Sequence, residues 1–232
     1  MINLITNRIQ AIASLIDTEN IVCDIGTDHG YTAIYIAKDL KAQKIFASDI
    51  NNKPLSIAKK NVKKYGVEHK VETILSDGLD FIINDKIKIN VCIISGLGGN
   101  TILSILEKDC NLIDSYIICA HNNTQKIRTW TKNKKYFIQN EKVIEDNNIF
   151  YEVIKINKYA GVKIKSKYDI LFGPLMRKNI SKAFVSYWAR IEERDRDIYQ
   201  ALVQSDKLKA KKYKIKLKMI NKVIGKEIVK YV

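Results

Sequence analysis

Three aspartates stand where apolar runs give way to turns: Asp24 in Ile21-Val-Cys-Asp-Ile-Gly-Thr-Asp-His-Gly-Tyr31, Asp49 in Lys44-Ile-Phe-Ala-Ser-Asp-Ile50, and Asp77 in Ser76-Asp-Gly78. Carboxylates at the carboxyl ends of parallel strands lie where open α/β sheets bind ligands. Here Asp49, followed by Ile50, is placed to accept bonds from ribose hydroxyls and Asp77 from the exocyclic amine of adenine. Asp24 faces the far end of the same ligand. Each such charged hydrogen bond contributes about 1.5–3 kcal/mol. A single aspartate at a strand end could merely cap the following helix, but three in succession are poorly explained that way. The first loop also departs from G-x-G-x-x-G. Between Gly26 and Gly30 it carries Thr27, Asp28 and His29, a potential anion where a pyrophosphate would need bare backbone. That disfavours a dinucleotide and favours a nucleoside whose other end is cationic. S-adenosyl-L-methionine, with a sulfonium and an amino group beyond its adenosine, fits.

The elements that must position these residues alternate along the chain. The pattern predicts a helix from about Thr6 to Ile16, strand 21–24, helix 31–39, strand 44–48, helix 53–65 and strand 71–75. It continues with strand 90–95 ending at Gly96-Leu-Gly-Gly99, helix 100–108, strand 115–120 and a helix near 124–133. Gly96, Gly98 and Gly99 either admit close approach of a ligand or simply form a turn. Lys142–Ile156 then reads as two strands around Asp146-Asn-Asn148, an antiparallel hairpin at the edge of an otherwise parallel sheet. Five parallel strands followed by a hairpin is the class I methyltransferase topology, a Rossmann-like sheet. Gly173-Pro174 marks a boundary. Beyond it, Ile180, Phe184, Tyr187, Ile191, Ile198 and Leu202 keep a spacing of three to four, as do Tyr213, Leu217, Ile220, Ile224, Ile228 and Tyr231 after Ser205-Asp206. These predict a C-terminal antiparallel helical hairpin with a coiled-coil-like seam. The expected organisation is a catalytic domain over 1–160 and a basic helical domain over 161–232.

Charge follows that division. The net charge is +15 over 232 residues, and residues 161–232 hold 19 Lys and Arg against 7 Asp and Glu, a surplus of 12. So concentrated a basic face suits a polyanion, most simply nucleic acid, because neutralised phosphates release counterions. Cys23, Cys92, Cys110 and Cys119 have no C-x-x-C spacing and read as core residues in a reducing compartment. His29, His69 and His121 are neither paired at helical spacing nor joined by a cysteine cluster, so no metal site is expected. No stretch approaches a membrane span and no signal-peptide pattern opens the chain, which predicts a cytoplasmic protein, read as a monomer.

The ordered set Asp24-Ile-Gly-Thr-Asp-His-Gly-Tyr31, Ala47-Ser-Asp-Ile50, Ser76-Asp-Gly-Leu79, Ile94-Ser-Gly-Leu-Gly-Gly99 and Asn148-Ile-Phe-Tyr-Glu-Val153, followed by a basic helical tail, resembles the TrmK family. Its members are bacterial tRNA methyltransferases that modify N1 of adenine 22. The resemblance spans essentially the whole chain. It implies that Asp24, Gly26, Asp49, Ile50, Asp77, Gly78 and Gly96 bind S-adenosyl-L-methionine. It further implies that Asp28, His29 and Tyr31 face the target base, with Leu97, Gly98, Gly99, His121, Asn122 and Tyr151 around the substrate. The chain departs from the family pattern at Thr27, Gly30 and Thr32-Ala33, and at Ala120-His-Asn-Asn123, which bears on base positioning. Other readings are methylation of rRNA or of a small metabolite, a non-catalytic RNA-binding module that kept the fold, and a nicotinamide-dependent reductase. The basic tail opposes the metabolite, the aspartate trio opposes the silent module, and the glycine spacing and hairpin oppose the reductase.

Overall fold

The computed structural model describes residues 6–17, 20–39 and 42–231, with side chains described to residue 227. Helix α1 (Asn7–Ala13) is followed by β1 (Ile21–Ile25), α2 (Tyr31–Asp39), β2 (Lys44–Asp49), α3 (Asn52–Lys64), β3 (Val71–Leu75) and the short α4 (Asp80–Asn84). Next come β4 (Ile89–Ser95), α5 (Gly99–Glu107), β5 (Ile113–Cys119), α6 (Thr124–Asn133), β6 (Phe137–Asp146) and β7 (Ile149–Asn157). The chain ends in α7 (Lys167–Phe172), α8 (Lys182–Ser205) and α9 (Lys207–Tyr231).

One seven-stranded sheet runs in the order β3-β2-β1-β4-β5-β7-β6. The first five strands are mutually parallel, while β7 pairs antiparallel with both β5 and β6. The parallel strands are apolar because helices cover both of their faces, and the two resulting cores hold residues such as Ile34, Ile45 and Ile93 on one side and Ile82, Ile94 and Ile118 on the other. The strand order reverses between β1 and β4, the switch point at which such sheets open a crevice.

The hairpin turns as the sequence predicts. Asn147 and Asn148 both take left-handed conformations, at φ 51° and 62°, the paired positive-φ geometry of a two-residue β-turn in which Asn is tolerated. Strand β6 starts earlier than the predicted 142. Its first residues, Phe137-Ile-Gln-Asn140, lack alternation because the register slips between Ile138 and Asn140. Helices α4 and α7 are not among the predicted elements, the first being five residues long. The second carries a local signal nonetheless, a capping box in which Ser166 and Asp169 satisfy each other's backbone N–H groups.

Helices α8 and α9 break at Asp206, whose carboxylate caps the new helix through Lys209 N–H at 2.9 Å. They pack antiparallel with Phe184, Trp188, Ile220 and Ile224 buried against Val143 of β6 and Leu171 and Phe172 of α7. Ile228 and Tyr231, counted in the predicted seam, lie outside the described side chains. The seam is not purely apolar: Asp195 is fully buried on α8 and pairs with Lys216 Nζ of α9 at 2.6 Å.

A buried cation joins this hairpin to the sheet. Arg128 of α6 has no exposed surface and pairs with Glu141 of β6 at 3.2 Å and with Glu152 of β7. Glu152 also accepts from Tyr187 Oη of α8 at 3.1 Å and from Thr124 Oγ1 at 3.0 Å. Glu141 accepts the N–H groups of Leu175 and Met176 at 2.7 and 3.2 Å. Gly173, at φ +82°, lets the backbone pass so close that a Cβ there would lie 2.4 Å from the Glu141 carboxylate. Burial works against the charge on Arg128, but Glu152 and Glu141 outweigh it and hold the guanidinium above its usual pKa. Removing one member leaves an uncompensated buried charge. Arg128→Ala should therefore cost about 3–5 kcal/mol in urea unfolding, whereas Tyr187→Phe, which removes one donor of several, should cost about 1 kcal/mol.

Candidate functional site

A cleft of about 620 Å³ opens at the carboxyl ends of the parallel strands. Its walls include Asp24, Gly26, Asp28, His29, Tyr31, Asp49, Ile50, Asp77, Gly78, Gly96, Leu97 and His121, so one hollow collects most of the residues singled out from sequence.

Each aspartate has a different setting. Asp24 is buried at the end of β1 and accepts Thr27 Oγ1–H at 2.7 Å. Burial pushes its carboxyl up to about 6, with the Asp49 charge adding and the Thr27 bond subtracting. Asp49, also buried, accepts Asn51 N–H on Oδ1 at 2.9 Å and Asp28 N–H on Oδ2 at 3.2 Å. Each oxygen keeps a further lone pair for a ligand hydroxyl. Asp77 is the most open, its side chain 62% exposed, and it faces Lys108 Nζ at 3.2 Å. Lys108 also pairs with Asp80 at 2.8 Å, so Asp77 meets any ligand amine in competition with a lysine 31 residues away in sequence.

The loop after β1 is tightly turned. Gly26 and Gly30 sit at φ +72° and +77°, and Asp28 takes φ 52° between them, a conformation uncommon for a side-chain-bearing residue. That twist sends the Asp28 carboxylate back to His29 Nδ1 at 2.9 Å. The His29 ring stacks on Tyr31 with centroids 5.9 Å apart and planes 11° from parallel. Asp28, His29 and Tyr31 thus form one contiguous polar-aromatic ledge. Across the cleft, His121 Nε2 lies 2.8 Å from the Gly96 carbonyl oxygen, and its backbone N–H donates to Leu97 O at 3.0 Å. Because a carbonyl oxygen only accepts, Nε2 is the donor in that contact.

Gly98, Gly99, Asn122 and Tyr151 are not among the cleft walls. Gly99 and Asn122 join two loops: Gly99 N–H donates to Asn122 Oδ1 at 3.0 Å, and a Cβ on Gly99 would lie 2.4 Å from Asn122 O. That packing by itself calls for a glycine there. Tyr151 stands behind His121 with ring centroids 6.2 Å apart. Conversely, the cleft is lined by Arg8, Ile9, Thr101, Ser104 and Ile105, none anticipated from sequence. They arrive from helices α1 and α5 through tertiary packing alone. Among the described residues no group of three or more His, Cys, Asp and Glu could hold a metal ion, and no helix is long and apolar enough to cross a membrane.

A sheet with parallel strands 3-2-1-4-5, an antiparallel hairpin set beside β5, and an acid-lined crevice at the switch point define a methyltransferase of the Rossmann-like class. Within that class, the sequence profile of TrmK, tRNA (adenine(22)-N(1))-methyltransferase, matches residues 22–226, and the chain belongs to this family. It is 26% identical over 221 residues to the tRNA (adenine(22)-N(1))-methyltransferase of Bacillus subtilis, covering 91% of each chain. The M. capricolum TrmK structure, solved with S-adenosyl-homocysteine, superposes with a TM-score of 0.87 at 33% identity, over 96% of this chain and 99% of that one. A Streptococcus pneumoniae protein solved with S-adenosyl-L-methionine gives a TM-score of 0.84 at 26% identity, over 95% and 100%.

The raised Asp24 carboxyl has a measurable consequence without any ligand. Its folded pKa, about 6, exceeds the ordinary 3.8, so the folded chain holds this proton more tightly than the unfolded chain does. The resulting stabilisation is fully present below about pH 4 and is lost as pH rises through about 6. Asp24→Asn, which keeps an acceptor for Thr27 but cannot ionise, should flatten the fall in urea stability between pH 4 and 7 and raise stability at pH 7. An unaltered pH profile in the variant would show that Asp24 ionises as freely as in water.

Proposed function

We propose that this chain transfers the methyl group of S-adenosyl-L-methionine to N1 of an adenine in tRNA, adenine 22 in keeping with its family, and that it does so as a cytoplasmic monomer. The observation that carries the reading is the acidic cleft at the strand ends, with Asp24, Asp49 and Asp77 in one hollow beside the Asp28-His29-Tyr31 ledge. These residues fit a cationic nucleoside. Buried Asp24 gains a counter-charge at the methionine end, Asp49 keeps lone pairs for ribose hydroxyls, and Asp77 and the apolar Ile50, 61% exposed at the cleft rim, meet the adenine. When bound, the cofactor supplies an electrophilic methyl on a positively charged sulfur.

The chain's own residues need do little proton chemistry. N1 of adenine carries a lone pair at neutral pH, so no general base must act before attack. The requirement is geometric: the base is unstacked at a cost of a few kcal/mol and N1 aligned with the methyl–sulfur axis. Tyr31 and His29, already stacked together, offer a platform for the adenine. Asp28 lies beside them to stabilise the positive charge that develops on the base. His121 and the Gly96-Leu97 turn bound the pocket opposite. The domain division follows from the same reading. Residues 1–160 form the catalytic unit and 161–232 the tRNA-holding unit, whose α9 exposes Lys211, Lys212, Lys214 and Lys218.

Three results are expected. Asp28→Ala should lower single-turnover methylation of unmodified tRNA by about a hundredfold, near 2.7 kcal/mol, with cofactor and tRNA affinity little changed. The wild-type rate should stay nearly level from pH 7 to 9, because N1 loses no proton; a tenfold rise per pH unit together with an active Asp28→Ala would point to a different acceptor atom. For the helical unit, replacing Lys211, Lys212, Lys214 and Lys218 by Gln should weaken tRNA binding. It should also reduce the log–log salt slope by about 0.7–0.9 for each phosphate that is no longer neutralised, and leave cofactor affinity intact in calorimetry. An unchanged slope would assign the basic hairpin a purely structural part.

A further inference from the structure

Cationic charge also gathers away from the helical arm. Residues 51–70 hold six Lys against one Glu, whereas the whole of residues 1–160 carries a surplus of only three. Five of the six, Lys53, Lys59, Lys60, Lys63 and Lys64, belong to α3, and all five are exposed. At about 100° per residue they fall within an arc of about 140°, with Ala58 and Val62 buried on the other side. No Asp or Glu occurs between Asp49 and Glu68, and among the described residues none of the five enters an ion pair; Glu72 of β3 takes Lys44 instead, at 3.0 Å. Lys59 and Lys63, like Lys60 and Lys64, are like charges one turn apart, an arrangement that weakens a helix standing alone. Helix α3 is also fixed against the site. Asn51 and Pro54, at its start, line the cleft. Asn61 Nδ2 donates to the His29 carbonyl oxygen at 2.9 Å, and Gly30, at φ +77°, admits the helix so closely that a Cβ there would lie 3.2 Å from Ala58 Cβ. The loop that bears the ledge rests directly on the lysine-bearing helix.

We propose that the outer face of α3 is a second RNA contact, which holds the sugar–phosphate backbone beside the target nucleotide while the ledge receives its base. The inference rests on the tRNA reading above and adds to it a surface outside the helical arm. A base turned out of its stack brings its flanking phosphates to the enzyme with it, and these must pass a cleft whose walls carry Asp24, Asp28, Asp49 and Asp77. Without cations close by, the backbone is repelled there. Helix α3 starts at the cleft rim and runs about 20 Å, long enough to follow several phosphates. Lysine suits the task, because a mobile point charge neutralises phosphate without reading sequence. A bound polyanion also relieves the repulsion between the stacked lysines. An anionic membrane surface would attract the same charges, but an interfacial helix turns an apolar face to the lipid. The apolar side of α3 is committed to the core at Ala58 and Val62, which favours RNA.

Filter binding of unmodified tRNA by the full chain across a salt series tests this. The quadruple variant Lys59→Gln, Lys60→Gln, Lys63→Gln, Lys64→Gln should bind about 10- to 100-fold more weakly at about 0.1 M salt, and its log–log salt slope should drop by about 0.7–0.9 for each phosphate no longer neutralised. Replacing the same four lysines by Arg, which keeps the charge, should restore both. Affinity for S-adenosyl-L-methionine in calorimetry should not move, and urea stability should hold or rise, since the like-charge pairs are gone. The double variant Lys60→Gln, Lys64→Gln should show the same pattern at smaller size. Hydroxyl-radical footprinting locates the contact: the α3 variant should lose protection at backbone positions flanking the methylated adenine, whereas Gln at Lys211, Lys212, Lys214 and Lys218 of α9 should remove it elsewhere on the tRNA. Unchanged affinity and slope would overturn the assignment and leave α3 a solvated face. Protection lost only at positions remote from the adenine would overturn its placement beside the base. Weakened binding to phosphatidylserine–phosphatidylcholine vesicles with tRNA binding intact would overturn it in favour of a membrane contact. If the unsubstituted chain bound no tRNA, the tRNA reading itself would fall, an outcome distinct from any failure confined to α3.

Discussion

Everything beyond the fifth strand hangs on the burial of one guanidinium. Arg128 of α6 has no water to solvate it, so each of its donors must meet an acceptor. The acceptors it finds, Glu141, Glu152 and the carbonyl oxygens of Ile170 and Leu171, belong to β6, β7 and α7. The glutamates bring further donors in turn: Thr124 from α6, Tyr187 from α8, and the N–H groups of Leu175 and Met176. Such a network is an uncertain source of net stability, because desolvation offsets much of the attraction. It is a strong source of uniqueness, since any other docking of the helical hairpin would strand a buried charge. The orientation of the basic arm relative to the cleft is therefore set by polar satisfaction, with Trp188 and Phe172 filling volume around it.

That orientation separates two electrostatic tasks. The helical arm carries the cationic surplus, with Lys211, Lys212, Lys214 and Lys218 pointing to solvent on α9, while the cleft walls are acidic. A polyanion is drawn to the arm and repelled by the hollow. Under the proposed assignment this keeps phosphates out of the cofactor site and admits a flipped base, which is uncharged. The same division explains why burial near the cleft falls on carboxylates. A raised Asp24 is an unfavourable feature in the isolated chain, tolerated where a cationic ligand reverses the cost.

The sequence was most legible where local chemistry decides. Apolar runs became the parallel strands, and Asn147-Asn148 became a turn because Asn tolerates positive φ. Asp24, Asp49 and Asp77 met in one cleft because strand ends in a parallel sheet converge on the same edge. It was least legible where partners are distant. Nothing near Arg8 announces that α1 folds back over the cleft, and nothing near Asp77 announces Lys108. Arg128 sits in a polar helical stretch, Thr124–Asn133, where an arginine ordinarily faces solvent. Glycines were ambiguous for a related reason: Gly99 has the composition of a ligand loop or of a turn, and only the fold shows that the Asn122 backbone lies where its side chain would be. The seam of α8 and α9 was visible by period, but its buried Asp195–Lys216 pair was not, because heptad spacing weighs apolar positions only.

One carboxylate couples the two halves of the proposed chemistry. Asp49 Oδ1 and Oδ2 hold the N–H groups of Asn51 and Asp28, so the group assigned to the ribose also anchors the first residue of the base-facing ledge. Asp28 needs such an anchor, since its left-handed backbone at φ 52° is strained for a residue with a side chain. Its own carboxylate is then free to turn toward His29. A hydroxyl arriving at Asp49 shares a carboxylate with that anchoring bond, so charge withdrawn from Oδ2 loosens the ledge and charge left on it tightens it. Under the proposed assignment, one carboxylate would link the loop that meets the base to the occupancy of the cofactor site. A ribose hydroxyl on the remaining lone pairs would join cofactor and ledge through one buried aspartate, with no moving lid between them.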